Sequence, residues 1–251
     1  MYLYKKKIIL FSLIIFFSLY GGNLFSQNNT TQTETGLSSY KNEFPINYSN
    51  GYDLYIKLRE YTKSLKLSES NARLAFAIVF PELMRYSEFR DEIETMTNKV
   101  LYTADKDSEG LSIGVFQIKP IFAESIEQYI AKSPELKSKY PKINYYGEKT
   151  FRSNRIARIK RLKNPETEIF YVLAFIDICE KKFDLDSEPT TEDLMEQKIK
   201  ILATAYNSGF FYTKEQILEI AKKSAYPYGL NHPQSKWNYA QISYDFWKEF
   251  E

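Results

Sequence analysis

From Tyr52 onward, apolar residues recur at the three- and four-residue spacing that marks helix faces. In "YDLYIKLREYTKSLKL", Leu54, Leu58, Tyr61 and Leu65 fall on one face. A second helix is predicted to start near Ser68 or Ser70, either of which can cap it, and to run to about Tyr86. Pro81 lies inside it and should either kink the helix just before Glu82 or end it at Phe80. "RDEIETMTNKVLYTADKDSEG" reads as a polar helix and an acidic loop, and "GLSIGVFQIKP" as a loop or brief strand. "AESIEQYIAK", "NPETEIFYVLAFIDICEKKF", "TTEDLMEQKIKILATAY" and "TKEQILEIAKKSA" are helix-like, the third with Thr190 or Thr191 as cap. The pattern predicts a mainly α fold with at most a small β element.

The first 50 residues break this pattern. "MYLYKKK", "IILFSLIIFFSLY" and "GGNLFS" read as the charged start, apolar core and cleavage region of an export signal over 1–26. The apolar core is short for a membrane span, and no cysteine is present at the junction to carry a lipid anchor. Residues 27–50 are polar and lack apolar periodicity, which predicts a flexible linker. The folded domain is then expected over 51–251, in a chain delivered to the periplasm or cell envelope.

Charge and composition narrow the chemistry. Loss of the signal would remove Lys5, Lys6 and Lys7 and bring the net charge of the 251-residue chain from +2 to −1, which gives no support to a nucleic-acid partner. One Cys and one His leave a His/Cys zinc site or a Cys–His nucleophile pair improbable, so no metal or other cofactor is expected. Cys179, in an apolar run, reads as core.

Glu82 stands out. From Leu74 to Met84 every other position is apolar. A carboxylate is costly to bury unless paired, protonated or used. In an apolar wall its proton affinity should rise, which suits a group that gives a proton to a leaving oxygen and then takes one back. The competing reading is an ion pair with Arg85, three residues on. No second acid is evident in an apolar setting.

Four stretches in order then resemble the soluble lytic transglycosylases of the goose-lysozyme-like type. They are Glu82 at the end of an apolar helix, the loop Gly114–Val115–Phe116–Gln117–Ile118–Lys119–Pro120, the helix end Ala205–Tyr206–Asn207–Ser208–Gly209, and Asn238–Tyr239–Ala240. "NPETEIFYVLAFI" resembles the helix that the family places between loop and helix end. The resemblance covers the chain from about Leu65 onward. The chain departs from the family in having Leu83 where serine is usual, Pro81 before the acid, and a longer stretch of 32 positions from Glu82 to Gly114. We read residues 88–110 as an insertion over one end of a cleft.

The resemblance implies a lysozyme-like helical domain with a substrate cleft. The activity it implies is cleavage of the β-1,4 bond between N-acetylmuramic acid and N-acetylglucosamine in peptidoglycan, leaving a 1,6-anhydro product. Glu82 would be the single acid and base. Gly114 would let backbone approach a sugar, and Gln117 would offer both donor and acceptor to an N-acetyl group. Phe116, Tyr206 and Asn207 would also meet substrate, and Tyr239 would hydrogen-bond Glu82. The alternatives are a hydrolytic muramidase, with Asp107 or Glu109 positioning water, and a non-catalytic peptidoglycan-binding protein. Separately, Arg152, Arg155, Arg158 and Arg161 recur every three residues, predicting either a solvated basic surface or a contact for anionic wall or envelope polymers.

Overall fold

The structure is a computed structural model that describes residues 36–86, 102–104, 112–143 and 150–250. In chain order its α-helices are α1 (Leu37–Glu43), α2 (Pro45–Ser64), α3 (Glu69–Arg85), α4 (Pro120–Lys132) and α5 (Pro134–Lys139). They continue with α6 (Phe151–Leu162), α7 (Pro165–Phe183), α8 (Glu192–Ser208), α9 (Lys214–Ala221) and α10 (Tyr239–Glu249). Single 3-10 turns stand at Tyr102–Ala104 and Pro141–Ile143. Among the described residues there is no strand, only the isolated antiparallel bridges Ile113–Ile118 and Tyr226–Trp237. The mainly α expectation holds.

Local chemistry sets the helix starts. The Ser68 hydroxyl accepts the Asn71 N–H to open α3, Thr191 accepts from Leu194 to open α8, and the Asn164 side chain accepts from Glu166 and Thr167 to open α7. The α3 helix does not end at Phe80. It passes through Pro81 to Arg85. Its residues from Leu74 to Met84 are all buried, the signature of a helix enclosed on every side. The α2, α8 and α10 helices pack around it, and the rings of Phe80 (α3) and Phe246 (α10) stack at 4.0 Å. The C-terminal turn of α3, which carries Glu82, is thereby held in the core.

Two expectations are corrected here. The segment assigned to a linker up to residue 50 is helical from Leu37, and the unit containing every described residue runs Glu34–Glu251. Leu37 and Tyr40 are buried, with Tyr40 packed on Phe44, Tyr226 and Trp237. The buried face of α2 is also rotated: Gly51, Tyr55, Leu58 and Thr62 point inward, while Leu54, Tyr61 and Leu65 are only partly covered.

The arginine series is corrected as well. Arg155 and Arg158 are buried, and Arg161 is partly so. The Arg158 side chain is 0 % exposed and lies 2.7 Å from Glu127, which is also 0 % exposed; Arg161 meets the same carboxylate at 2.8 Å. Arg155 donates to the Tyr102 carbonyl at 2.5 Å, and the Tyr102 hydroxyl donates to Glu124 at 2.6 Å. Glu124 and Glu127 sit one turn apart on α4 and draw three of the four arginines inward, because buried guanidinium groups require paired carboxylates. Arg152 alone remains on the exposed side. The export segment lies outside the described residues; among those described, no helix is long and apolar enough to cross a membrane.

Candidate active site

Three elements converge at the end of α3. The Glu82 residue is 8 % exposed and lines a cavity of about 600 Å³ together with Arg85, Gln117, Tyr206 and Asn207. Positions from three separate stretches of sequence thus face one space. Arg85 Nη1 lies 3.5 Å from Glu82 Oε2, so the ion pair weighed against catalysis is present. Burial acts to lower the Arg85 proton affinity, and the Glu82 charge with three nearby tyrosines more than offsets it, leaving the guanidinium raised above its ordinary value.

Two tyrosine hydroxyls hold the backbone beside the acid. Tyr239 donates to the Ile78 carbonyl at 3.2 Å, and Tyr226 donates to the Pro81 carbonyl at 2.7 Å. Each phenol has one proton to give. The bond that Tyr239 makes here is to Ile78, one turn before the acid on the same helix, and the Glu82 charge is the largest acting on its phenol. The ring of Tyr239 is buried and is not part of the cavity lining. Burial raises the proton affinity of Tyr206, Tyr226 and Tyr239 well above the ordinary phenol value; nearby charges add to this, with Glu82 raising all three.

The stretch from Ile113 to Ile118 is a tight turn closed by those two residues, each donating its N–H to the other's carbonyl. Gly114 has φ +77°. A Cβ there would stand 2.3 Å from both Glu168 Oε1 on α7 and the Leu162 carbonyl oxygen, so the packing of the turn on α6 and α7, together with the positive φ, needs the glycine. Glu168 is fully buried and accepts the N–H groups of Val115 and Phe116 at 3.1 and 3.2 Å. Gly114 is thus corrected from a sugar contact to a structural position. Phe116 is corrected too: its ring is buried, edge-on to Phe76, away from the cavity lining. The expectation of no second acid in an apolar setting also fails, since Glu127 and Glu168 are both fully buried.

Gln117 does reach the cavity. Its backbone takes a left-handed φ of 53°, and its amide nitrogen donates to the Gly114 carbonyl at 2.9 Å, which fixes the side chain's direction. Tyr206 binds the turn to α8 by donating to the Phe116 carbonyl at 2.7 Å. Gly209 ends α8 with φ +100°, ψ 141°, a conformation that glycine adopts freely. Asn207 is left exposed in the cavity, and the chain continues into Phe211 and Tyr212, which also line it.

The structure therefore brings together Glu82, Gln117, Tyr206 and Asn207, and does not bring Gly114, Phe116 or Tyr239 into the lining. Asp107 and Glu109 lie outside the described residues, as does most of the 88–110 stretch. Sequence reasoning missed Glu168, which holds the turn, and the cavity-lining Lys119, Phe211 and Tyr212. Glu168 had a signal, an acid followed by the long apolar run of α7; "SGFFY" had one in two aromatics just past a helix-ending glycine. Among the described residues, no group of three or more His, Cys, Asp or Glu side chains is placed to hold a metal ion. Compared with protein-family models, curated proteins and solved structures, the chain finds no match in any of the three.

Proposed function

We propose that this chain is a peptidoglycan lytic transglycosylase acting outside the cytoplasm, with Glu82 as its only acid and base. The observation that carries the reading is the convergence of Glu82, Gln117, Tyr206 and Asn207 on one cavity. Those positions are four of the seven the family resemblance implies, and they are separated by up to 125 positions in sequence.

In this reading Glu82 gives its proton to the bridging oxygen between muramic acid C1 and the neighbouring glucosamine. The C1–O bond breaks with the pair going to that oxygen. The muramic 6-hydroxyl then attacks C1, and the Glu82 carboxylate takes the hydroxyl proton. No water enters, and one carboxylate suffices because the substrate brings its own nucleophile, unlike the two-carboxylate glycosidases. Gln117 and Asn207 provide donors and acceptors for N-acetyl groups. Ile118, Ile121 and Phe122 add apolar side chains to the otherwise polar lining.

One observation favours a second reading. The Arg85 guanidinium, 3.5 Å from Glu82, favours the charged carboxylate over the proton-bearing acid that cleavage uses; a protein that binds glycan without cleaving it has no such conflict. Incubation of purified sacculi with the wild-type chain and with Glu82→Gln separates the two. The enzyme reading expects soluble fragments from the wild type alone, with both proteins pelleting with sacculi. Pelleting without fragments from either protein leaves only the binding reading.

A further inference from the structure

Large aromatic rings left in solvent at the edge of a polar cavity call for an explanation. Phe211 is 63 % exposed and Tyr212 43 % exposed, both in the turn after α8, and both line the cavity that holds Glu82. Ile121, at the start of α4, adds a third exposed apolar side chain to the same lining.

These rings do not hang on a loose loop. Phe211 lies nearly parallel to Phe210, with centroids 5.0 Å apart and planes 20° from one another. Phe210 is fully buried and packs on Phe122 and Phe175. Its carbonyl accepts the Lys182 ammonium at 2.5 Å. Behind the exposed ring, then, stands an aromatic stack anchored to the core.

We propose that Phe211, with Tyr212 beside it, is a stacking wall for a pyranose ring, a sugar subsite next to the scissile bond. The argument joins two features of the chemistry. A flat apolar ring face recognises a partner that is itself flat and apolar on one side. Gln117, Asn207 and Ser208 line the same cavity and demand hydrogen-bonding groups around that partner's edge. A pyranose in β-1,4 linkage has both, its C–H groups on the faces and its hydroxyl and N-acetyl groups at the rim. This deepens the peptidoglycan reading and rests on it for the identity of the sugar.

The test uses the Glu82→Gln protein, so that binding is read without turnover, and titrates it with a soluble β-1,4-linked N-acetylglucosamine oligomer by calorimetry. Phe211→Ala should weaken binding about threefold to tenfold, the range expected of one aromatic contact. Phe211→Tyr should keep the affinity. Phe211→Leu, which is apolar but not flat, should lose nearly as much as alanine. Thermal unfolding of all three should match the parent, because the ring is exposed. Equal affinity in the alanine and parent proteins, full retention by leucine, or no binding of the oligomer by any of them overturns the wall. Cleavage of sacculi by the otherwise wild-type chain carrying Phe211→Ala, at unchanged KM, overturns the wall and leaves the role of Glu82 intact. Ring-dependent binding without cleavage by wild type supports the wall and removes the enzymatic reading.

Discussion

Gly114 and Glu168 occupy each other's space: a side-chain carbon on Gly114 would stand 2.3 Å from Oε1 of Glu168. That carboxylate accepts two successive N–H groups of the turn that carries Gln117 into the cavity. Gly114→Ala should therefore destabilise the protein by about 2 kcal/mol or more, from the strained φ and the collision together. Glu168→Ala should cost about 1–3 kcal/mol for each buried N–H it strands. Truncating Glu168 relieves only part of the collision, since the Leu162 carbonyl stands equally close and the positive φ remains, so the double variant should lose only somewhat less than the sum of the singles. Chemical denaturation of the four proteins in the cycle measures this coupling.

The arginines of α6 differ sharply in what they do. Arg158→Ala leaves the buried Glu127 without its closest guanidinium and should cost about 3–5 kcal/mol. Arg152→Ala, on the exposed side of the same helix, should stay within about 0.5 kcal/mol of wild type. Thermal or urea unfolding of the two variants distinguishes the buried network from a basic surface, on which the two changes would behave alike.

Alkaline pH should unfold the protein. Burial, the largest cause, and nearby acidic charges raise Tyr206, Tyr226 and Tyr239 well above the phenol value of 10.0, so each stays protonated in the folded state. The stability they contribute is whole below pH 10, where both states keep the proton. It falls as pH rises beyond 10, because the unfolded chain loses its protons first. Among the 21 tyrosines the exposed ones ionise without unfolding, so a share of the tyrosinate absorbance should appear early and the rest only in step with the loss of helical circular dichroism. Full ionisation of all tyrosines with the helices intact would contradict the assignment.

Tyr206 and Asn207 are neighbours with different duties. Tyr206→Phe removes the bond to the Phe116 carbonyl and should lower both stability, by about 1–2 kcal/mol, and activity. Asn207→Ala, at an exposed position in the cavity, should lower activity and leave unfolding unchanged. Paired assays of sacculus cleavage and thermal unfolding give the contrast.

Legibility in the sequence followed the range of the forces involved. Ser68 and Thr191 act within three residues, so the starts of α3 and α8 could be read to within two residues. The gathering of Glu82, Gln117, Tyr206 and Asn207 was legible only through the order of short motifs. What depended on a distant partner was not. Gly114 looks like a place for ligand because its true neighbours, the Leu162 carbonyl and Glu168, are 48 and 54 positions away. The period-three arginines look like a surface until α4 is set against them, though Glu124 and Glu127, themselves three apart, carried the hint. The start of the domain was hidden because Leu37, Tyr40, Phe44 and Tyr48 form an apolar stripe diluted among polar residues. Pro81 was ambiguous for a related reason: a local rule stops the helix, and enclosure by the core carries it through.

The central claim is that Glu82 cleaves the glycan with no second carboxylate and no water. Mass spectrometry of the fragments released from purified sacculi tests it most directly. The account predicts muramic ends lighter by one water than the reducing sugar, released by the wild-type chain and lost in Glu82→Gln. Reducing ends alone, or the same fragments from both proteins, would contradict it.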